Sequence, residues 1–134
     1  MRRKASIKNS RSKYRNKKIT VDGITFDSQK EYRHWCELLL LEEAGAITDL
    51  QRQVKYVLLP AQYETYERYG KRGKRLKDGK RCIEKSVVYI ADFVYKDLEK
   101  NEIVVEDTKG FRTADYKLKR KMMLYFHNIK IKEV

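Results

Sequence analysis

The chain's 134 residues can bury one core but not two, so a single domain with a tail is the expected organisation. Lys and Arg number 32 against 19 Asp and Glu, a formal charge of +13, and self-repulsion on that scale calls for a polyanionic partner, nucleic acid ahead of an anionic membrane surface. Cys36 and Cys82 stand far apart outside any C-x-x-C pattern, and the longest apolar run, Leu38 to Leu41, is far short of the ~20 residues that span a bilayer, which argues against disulfide scaffolds, zinc sites and membrane spans.

Residues 1 to 18 are rich in Arg, Lys, Ser and Asn and have almost no apolar periodicity, which predicts a flexible basic arm ahead of one domain over 19–134. The arm also lacks the apolar segment of an export signal, so the expected compartment is a reducing cytoplasm. Ile19-Thr20-Val21 and Ile24-Thr25-Phe26 flank Asp22-Gly23, a dipeptide that supplies the positive φ angles of a type I′ turn, and a short hairpin is expected. Ser28 and Glu31 have capping-box spacing and Gly45 suits the left-handed position after a helix, which predicts a helix from Gln29 to Ala44. Tyr32, Trp35, Cys36, Leu39 and Leu40 would form its buried stripe, widened by Leu38 and Leu41.

Val54 to Pro60 reads as a strand ended by the only proline. Between Ala61 and Lys85, Tyr63, Tyr66 and Tyr69 recur at intervals of three before Lys71, Arg72, Lys74, Arg75, Lys77, Lys80 and Arg81, which suggests a short amphipathic helix leading into a mobile basic loop. Tyrosines among cations suit stacking on bases and pairing with phosphates, although at this spacing they could equally be core. Ser86 to Asp97 and Glu102 to Lys109 are rich in β-branched and aromatic residues, and the polar Leu98 to Asn101 segment joins them as a central hairpin. Thr113 to Asn128 is a predicted helix with Leu118, Met122, Tyr125 and Phe126 inward and Lys117, Arg120 and Lys121 outward, and Ile129 to Val134 would close the sheet.

Chemistry concentrates in that hairpin. Alternation places Val88, Ile90, Asp92 and Val94 on one face of the first strand and Ile103, Val105, Asp107 and Lys109 on one face of the second. With the loop centred between Glu99 and Lys100, Asp92 lies opposite Asp107, where two like charges need a cation. Lys109 could be that cation in a structural ion pair. Alternatively, hard oxygen donors beside an ammonium suit Mg2+ or Mn2+ held by one or two carboxylates, water and a substrate phosphate. Such an ion can activate water and offset phosphoryl charge, with Lys109 as the electrostatic partner.

Asp92 and then Asp107-Thr108-Lys109 on the following strand, with a helical Glu31 upstream, resemble the PD-(D/E)xK nuclease superfamily, whose core runs helix, three-stranded meander, helix, strand. Asp22-Gly23, Phe26-Asp27-Ser28, Glu31, the Tyr89 to Tyr95 stretch and Glu106 to Gly110 are similar, more closely, to a small phage-borne family known as a domain of unknown function, over about residues 14 to 134. Two letters depart from the superfamily motif: Ala91 replaces the proline before Asp92, and Glu106 adjoins Asp107. Glu106 would give an E-x-x-K alternative, but period 2 points it away from Lys109. The resemblance implies an α/β restriction-endonuclease-like fold, a central mixed sheet flanked by helices in the order hairpin-α-β-β-β-α-β.

The same resemblance implies Asp92, Asp107 and the Thr108 carbonyl as metal ligands, Glu31 assisting the metal or its water, and Lys109 as catalyst. Glu31 also has a competing structural role in its helix cap. Products with 5′-phosphate and 3′-hydroxyl ends are implied, with Mg2+ as cofactor and Mn2+ able to substitute. Lys117 and Lys119 resemble positions that contact the cleaved strand, while Lys71, Arg72, Lys74, Arg75 and Arg120 would meet other DNA phosphates. Gln53 is a further candidate. A homodimer could cut two strands symmetrically, as in resolution of branched or Holliday-junction DNA. His34 and His127 are isolated, and no G-x-x-x-x-G-K-[ST] loop or Ser/His/Asp set is present. The competing class is a non-catalytic basic nucleic-acid binder, RNA-binding or ribosome-associated, whose carboxylates only temper its charge.

Overall fold

The computed structural model describes residues 17–134, so the expected basic arm lies, but for Lys17 and Lys18, outside the described residues. Asp22 and Gly23, at φ 51° and 77°, make the expected tight turn between β1 (Ile19–Val21) and β2 (Ile24–Phe26). Helix α1 (Gln29–Glu43) begins at Ser28, whose hydroxyl accepts from Glu31 N at 3.1 Å. It ends in a Schellman arrangement in which Ala46 N donates to Leu41 O and Gly45 N to Glu42 O, with Gly45 at φ 79°.

There follow β3 (Ile47–Leu59), β4 (Gln62–Tyr69), β5 (Arg75–Glu84), β6 (Val87–Asp97), β7 (Glu102–Asp107), α2 (Ala114–His127) and β8 (Lys132–Glu133). The central sheet has the order β3-β6-β7-β8, antiparallel except for the parallel β7–β8 pair. This is an α/β fold with a mixed sheet, as the sequence indicates, and the β6–β7 register keeps Val94 opposite Val105 as a loop centred on Leu98–Asn101 requires. Among the described residues, no helix is long and apolar enough to cross a membrane.

Each face of the sheet carries its own core. On one, Leu58, Tyr89, Ala91, Val94, Val105 and Ile131 pack with Tyr116 and Met123 of α2. On the other, Ile47, Phe93 and Tyr95 pack with Leu38 and Trp35 of α1. Tyr89 and Ala91 thus share a face with Val94, and Phe93 and Tyr95 take the opposite one. The expected alternation Val88, Ile90, Asp92, Val94 therefore breaks, and β6 changes face at Asp92. Opposite it on β3, Gln53 adopts φ 51°, and the ladder passes from the Arg52–Phe93 pair to the Val54–Ala91 pair without it.

Three other expectations need correction. The segment after Pro60 is no helix and loop but an antiparallel ribbon, β4–β5, turned through one 3-10 turn at Lys71–Gly73; the tyrosine spacing of three coincides with helical period without any face to bury it. In α1 the inward stripe is Glu31, His34, Trp35 and Leu38, leaving Leu39, Leu40 and Leu41 exposed, because a glutamate and a histidine hold inward positions. In α2 the inward residues are Tyr116 and Met123, with Arg120 half-buried and Met122 packed against the core as expected, whereas Leu118, Tyr125 and Phe126 are exposed; Tyr116 and Arg120 are anchored on Glu133 and set the helix rotation.

Leu38 and Leu40 both belong to the stripe read from periodicity, and the structure separates them. Leu38→Ala should cost about 2–5 kcal/mol, since Leu38 is 1% exposed, while Leu40→Ala, at 65% exposure, should stay within about 0.5 kcal/mol. Urea unfolding of the two variants measures this, and comparable losses in both would restore the stripe read from periodicity.

Candidate active site

The last laddered pair between β6 and β7 is Phe93–Glu106. Beyond it the strands part, and the next residues on each, Asp92 and Asp107, stand at the fork. Asp92 Oδ2 accepts from Thr108 N at 2.8 Å and from Thr108 Oγ1 at 2.7 Å, which ties the two strands together just past the ladder. Asp107 is 1% exposed. Its Oδ2 accepts from Tyr89 OH at 2.6 Å. Lys109 Nζ lies 2.9 Å from its Oδ1, but off the direction a hydrogen bond needs, so that oxygen is buried facing a cation and without a hydrogen bond. The Lys109 ammonium also sits over the Tyr116 ring, 4.2 Å from its centroid.

Glu31 approaches from α1. Its Oε2 accepts from Asp27 N at 3.0 Å, one residue before the cap, and its Oε1 is within 3.4 Å of Arg52 Nη2 and 3.3 Å of Gln53 Nε2. The left-handed backbone at Gln53 lets one side chain reach both Glu31 and, at 3.5 Å, Asp92 Oδ1. Arg52, laid over Phe26 at 4.1 Å, is the counter-charge for this otherwise buried carboxylate. Glu31 therefore has both the capping role and a place beside Asp92.

Burial first, and then the charge of Asp92, push the Asp107 carboxyl above its ordinary range, against the opposing pull of Tyr89 and Lys109. Burial and Asp92 also raise Glu31. Glu106, next in the chain, behaves in the opposite way. Burial works against its charge, but hydrogen bonds from Tyr95 and His34, the His34 charge and a bond from Lys132 outweigh it and hold the carboxyl low. Its oxygens are fully served, by Tyr95 and Lys132 on one and His34 on the other. Glu106, on the α1 face, has hydrogen bonds to both oxygens, whereas Asp107, on the α2 face, has one on Oδ2 only, its Oδ1 meeting the Lys109 ammonium in an ion pair.

Two hard oxygen donors, one with a raised pKa and a buried oxygen met only by the Lys109 ammonium, have the chemistry to hold a divalent ion beside that ion pair. Among the described residues, no three His, Cys, Asp or Glu side chains stand at ligating spacing. The donors that fit are thus the two fork carboxylates, completed by carbonyl, water and phosphate oxygens, which is the sparse protein contribution Mg2+ usually accepts.

The remaining candidates lie apart from the fork. Lys71, Arg72, Lys74 and Arg75 are exposed on and beside the ribbon turn, and Arg75 pairs with Asp78 at 2.6 Å. Lys117 is exposed on α2, Lys119 pairs with Asp115 at 3.3 Å, and Arg120 is bound to Glu133 at 2.6 Å. With Arg112 and Tyr116 these contacts hold Glu133 at about 2. Sequence reasoning missed the supporting polar groups: Tyr89, the Thr108 hydroxyl, Tyr116 and Arg52. Tyr89 was readable only as an apolar strand residue, whereas Thr108, inside the D-x-K triplet, carried a signal in its position.

Fold and fork together define an α/β protein with a carboxylate-and-lysine site where two strands of a mixed sheet separate. The chain belongs to the family described as protein of unknown function DUF1064, whose model matches residues 11–134. No curated protein and no solved structure matches it.

Because folding raises the pKa of Asp107 and Glu31, the native chain binds more protons than the unfolded one between the ordinary and raised values, and stability falls as pH rises through that window. Asp92→Asn keeps an acceptor for Thr108 and removes the shared charge. In EDTA at pH 7 it should raise Tm by about 2–5 °C, with the gain shrinking as pH falls through the raised values and gone below the ordinary carboxylate range. Thermal melts across pH check this; a variant less stable than the parent at pH 7 would refute the repulsion.

Proposed function

We propose that this chain is a metal-dependent DNA endonuclease of the PD-(D/E)xK type. The observation that carries the reading is the fork: Asp107 buried with one oxygen lacking a hydrogen bond, Asp92 raising its pKa from the adjoining strand, and the Lys109 ammonium 2.9 Å away. The net charge of +13 supports a polyanionic substrate. Asp92, Asp107 and the Thr108 carbonyl would hold Mg2+, or Mn2+ in its place, with Glu31 beside them. Bound there, the ion supplies a more acidic water and charge neutralisation at a phosphoryl oxygen.

The chain's own residues account for the rest. Tyr89 holds Oδ2 of Asp107 and so leaves Oδ1 toward Lys109, and Thr108 fixes Asp92 through two donors. Lys109, cradled on the Tyr116 ring, offers protons to a non-bridging phosphate oxygen as negative charge accumulates there during in-line attack. Glu31 and Gln53 are placed to accept from and orient the attacking water on the side of Asp92. Hydrolysis leaves a 5′-phosphate and a 3′-hydroxyl. DNA processing or recombination in a phage setting, including resolution of branched or Holliday-junction DNA by a homodimer, is the specialisation we favour.

Plasmid and synthetic branched DNA incubated with Mg2+, Mn2+ or EDTA test this. Cutting should require the metal and should fall at least ~10²-fold in Asp107→Asn and in Lys109→Ala, with DNA binding retained. Binding without cutting on every substrate would instead make the chain a non-catalytic nucleic-acid binder.

A further inference from the structure

The β4–β5 ribbon is inserted between the two strands that carry Gln53 and Asp92, and it makes only marginal contact with any other element. Every residue of β4, and every residue of β5 except Gly79, is exposed. An isolated two-stranded hairpin is marginal in water, so this one needs its own means of holding shape. It has them in cross-strand pairs: Lys80 lies 4.7 Å from the Tyr63 ring, Arg81 4.8 Å from Tyr66 and Arg75 5.6 Å from Tyr69. The Tyr66 ring covers Gly79 so closely that a Cβ there would stand 2.3 Å from Cζ. Between Gly70 and Arg81 the chain has seven cations and one carboxylate, Asp78.

We propose that this ribbon is a preformed arm that lies in the major groove of duplex DNA and grips phosphates on both groove walls. Lys80 and Arg81 are consecutive in a strand and point to opposite faces, and each carries its own tyrosine pair. A ribbon docking on a membrane surface or along one strand would need its cations on one face. A groove presents phosphates to both. The B-DNA major groove admits a two-stranded ribbon, whereas that of A-form RNA is too narrow and deep for side chains to enter. The proposal rests on the endonuclease reading for its choice of DNA as partner, and it assigns that enzyme a duplex substrate held at a distance from the fork. From Leu59 and Val87, where the ribbon leaves the sheet, to Gln53 and Asp92 is five or six residues of strand, about 17–20 Å.

The test reads binding in EDTA, where no cutting intervenes. Fluorescence anisotropy compares full-length protein with the triple variant Lys71→Gln, Arg72→Gln, Lys74→Gln, and with a charge-matched control, Lys100→Gln, Lys121→Gln, Lys130→Gln, on duplex DNA, single-stranded DNA and duplex RNA. The arm variant should bind duplex DNA about 10- to 100-fold more weakly and with a salt slope smaller by about 2 to 3, while the control changes little. Methyl green, which occupies the major groove, should compete, and netropsin, in the minor groove, should not. Equal losses in the two variants, an arm effect confined to single strands or RNA, or competition by netropsin alone would each overturn the proposal. If the arm effect appears but Mg2+ yields no cutting, the endonuclease reading fails and the arm stands. If cutting occurs and the arm variant binds normally, the arm fails and the nuclease stands.

Discussion

At Asp92 strand β6 exchanges the face it presents to α2 for the face it presents to α1, and the rest of the site depends on that crossover. A strand that alternated without interruption would send Ala91 and Phe93 into the same core. Here they enter different cores, and the residue between them carries a carboxylate that raises the pKa of Glu31 on one side and of Asp107 on the other. Gln53, opposite on β3, absorbs the change with a left-handed backbone and uses its side chain to bridge Glu31 and Asp92. Backbone irregularity of this kind costs free energy and persists where surrounding structure over-determines it. The cores under Phe93 and Ala91 supply that constraint.

Glu106 and Asp107 form an internal control. Both are buried, both belong to β7, and they face opposite sides of the same sheet. Tyr95, His34 and Lys132 satisfy Glu106 and keep it ionised, whereas Asp107 shares its environment with another carboxylate and retains an oxygen that only a cation faces. Burial alone therefore does not decide which carboxylate is held ionised and which is pushed up. The supply of donors does.

The ribbon obeys a different economy from the domain. It buries little apolar surface and holds its form through rings laid against cations and one ring laid on a glycine. Each such pair contributes only about 0.5–1 kcal/mol at an exposed site, enough to bias an arm toward one shape without fixing it to the domain. Charge is thus divided within one chain: carboxylates gather at the fork of β6 and β7, and cations on the ribbon inserted between β3 and β6.

Much of this architecture was legible in residue order because it depends on local rules. Asp22-Gly23 demanded its turn, Ser28 and Gly45 bounded their helix, and the length of the Leu98–Asn101 loop determined the register that brings Asp92 and Asp107 just past the last β6–β7 pair. Period 2 likewise separated Glu106 from Asp107 and Lys109, which lie on the other side of the sheet. What periodicity could not supply was the outcome of competition between elements. The inward faces of α1 and α2 were decided by polar anchors, Glu31 and His34 on one helix and Tyr116 and Arg120 on the other, whose partners lie far away in sequence. Three tyrosines at intervals of three read as a helix until strand pairing gave each a cation across the ribbon. The face change at Asp92 was likewise invisible, because it arises only when two cores on opposite sides of one sheet claim adjacent segments of the same strand.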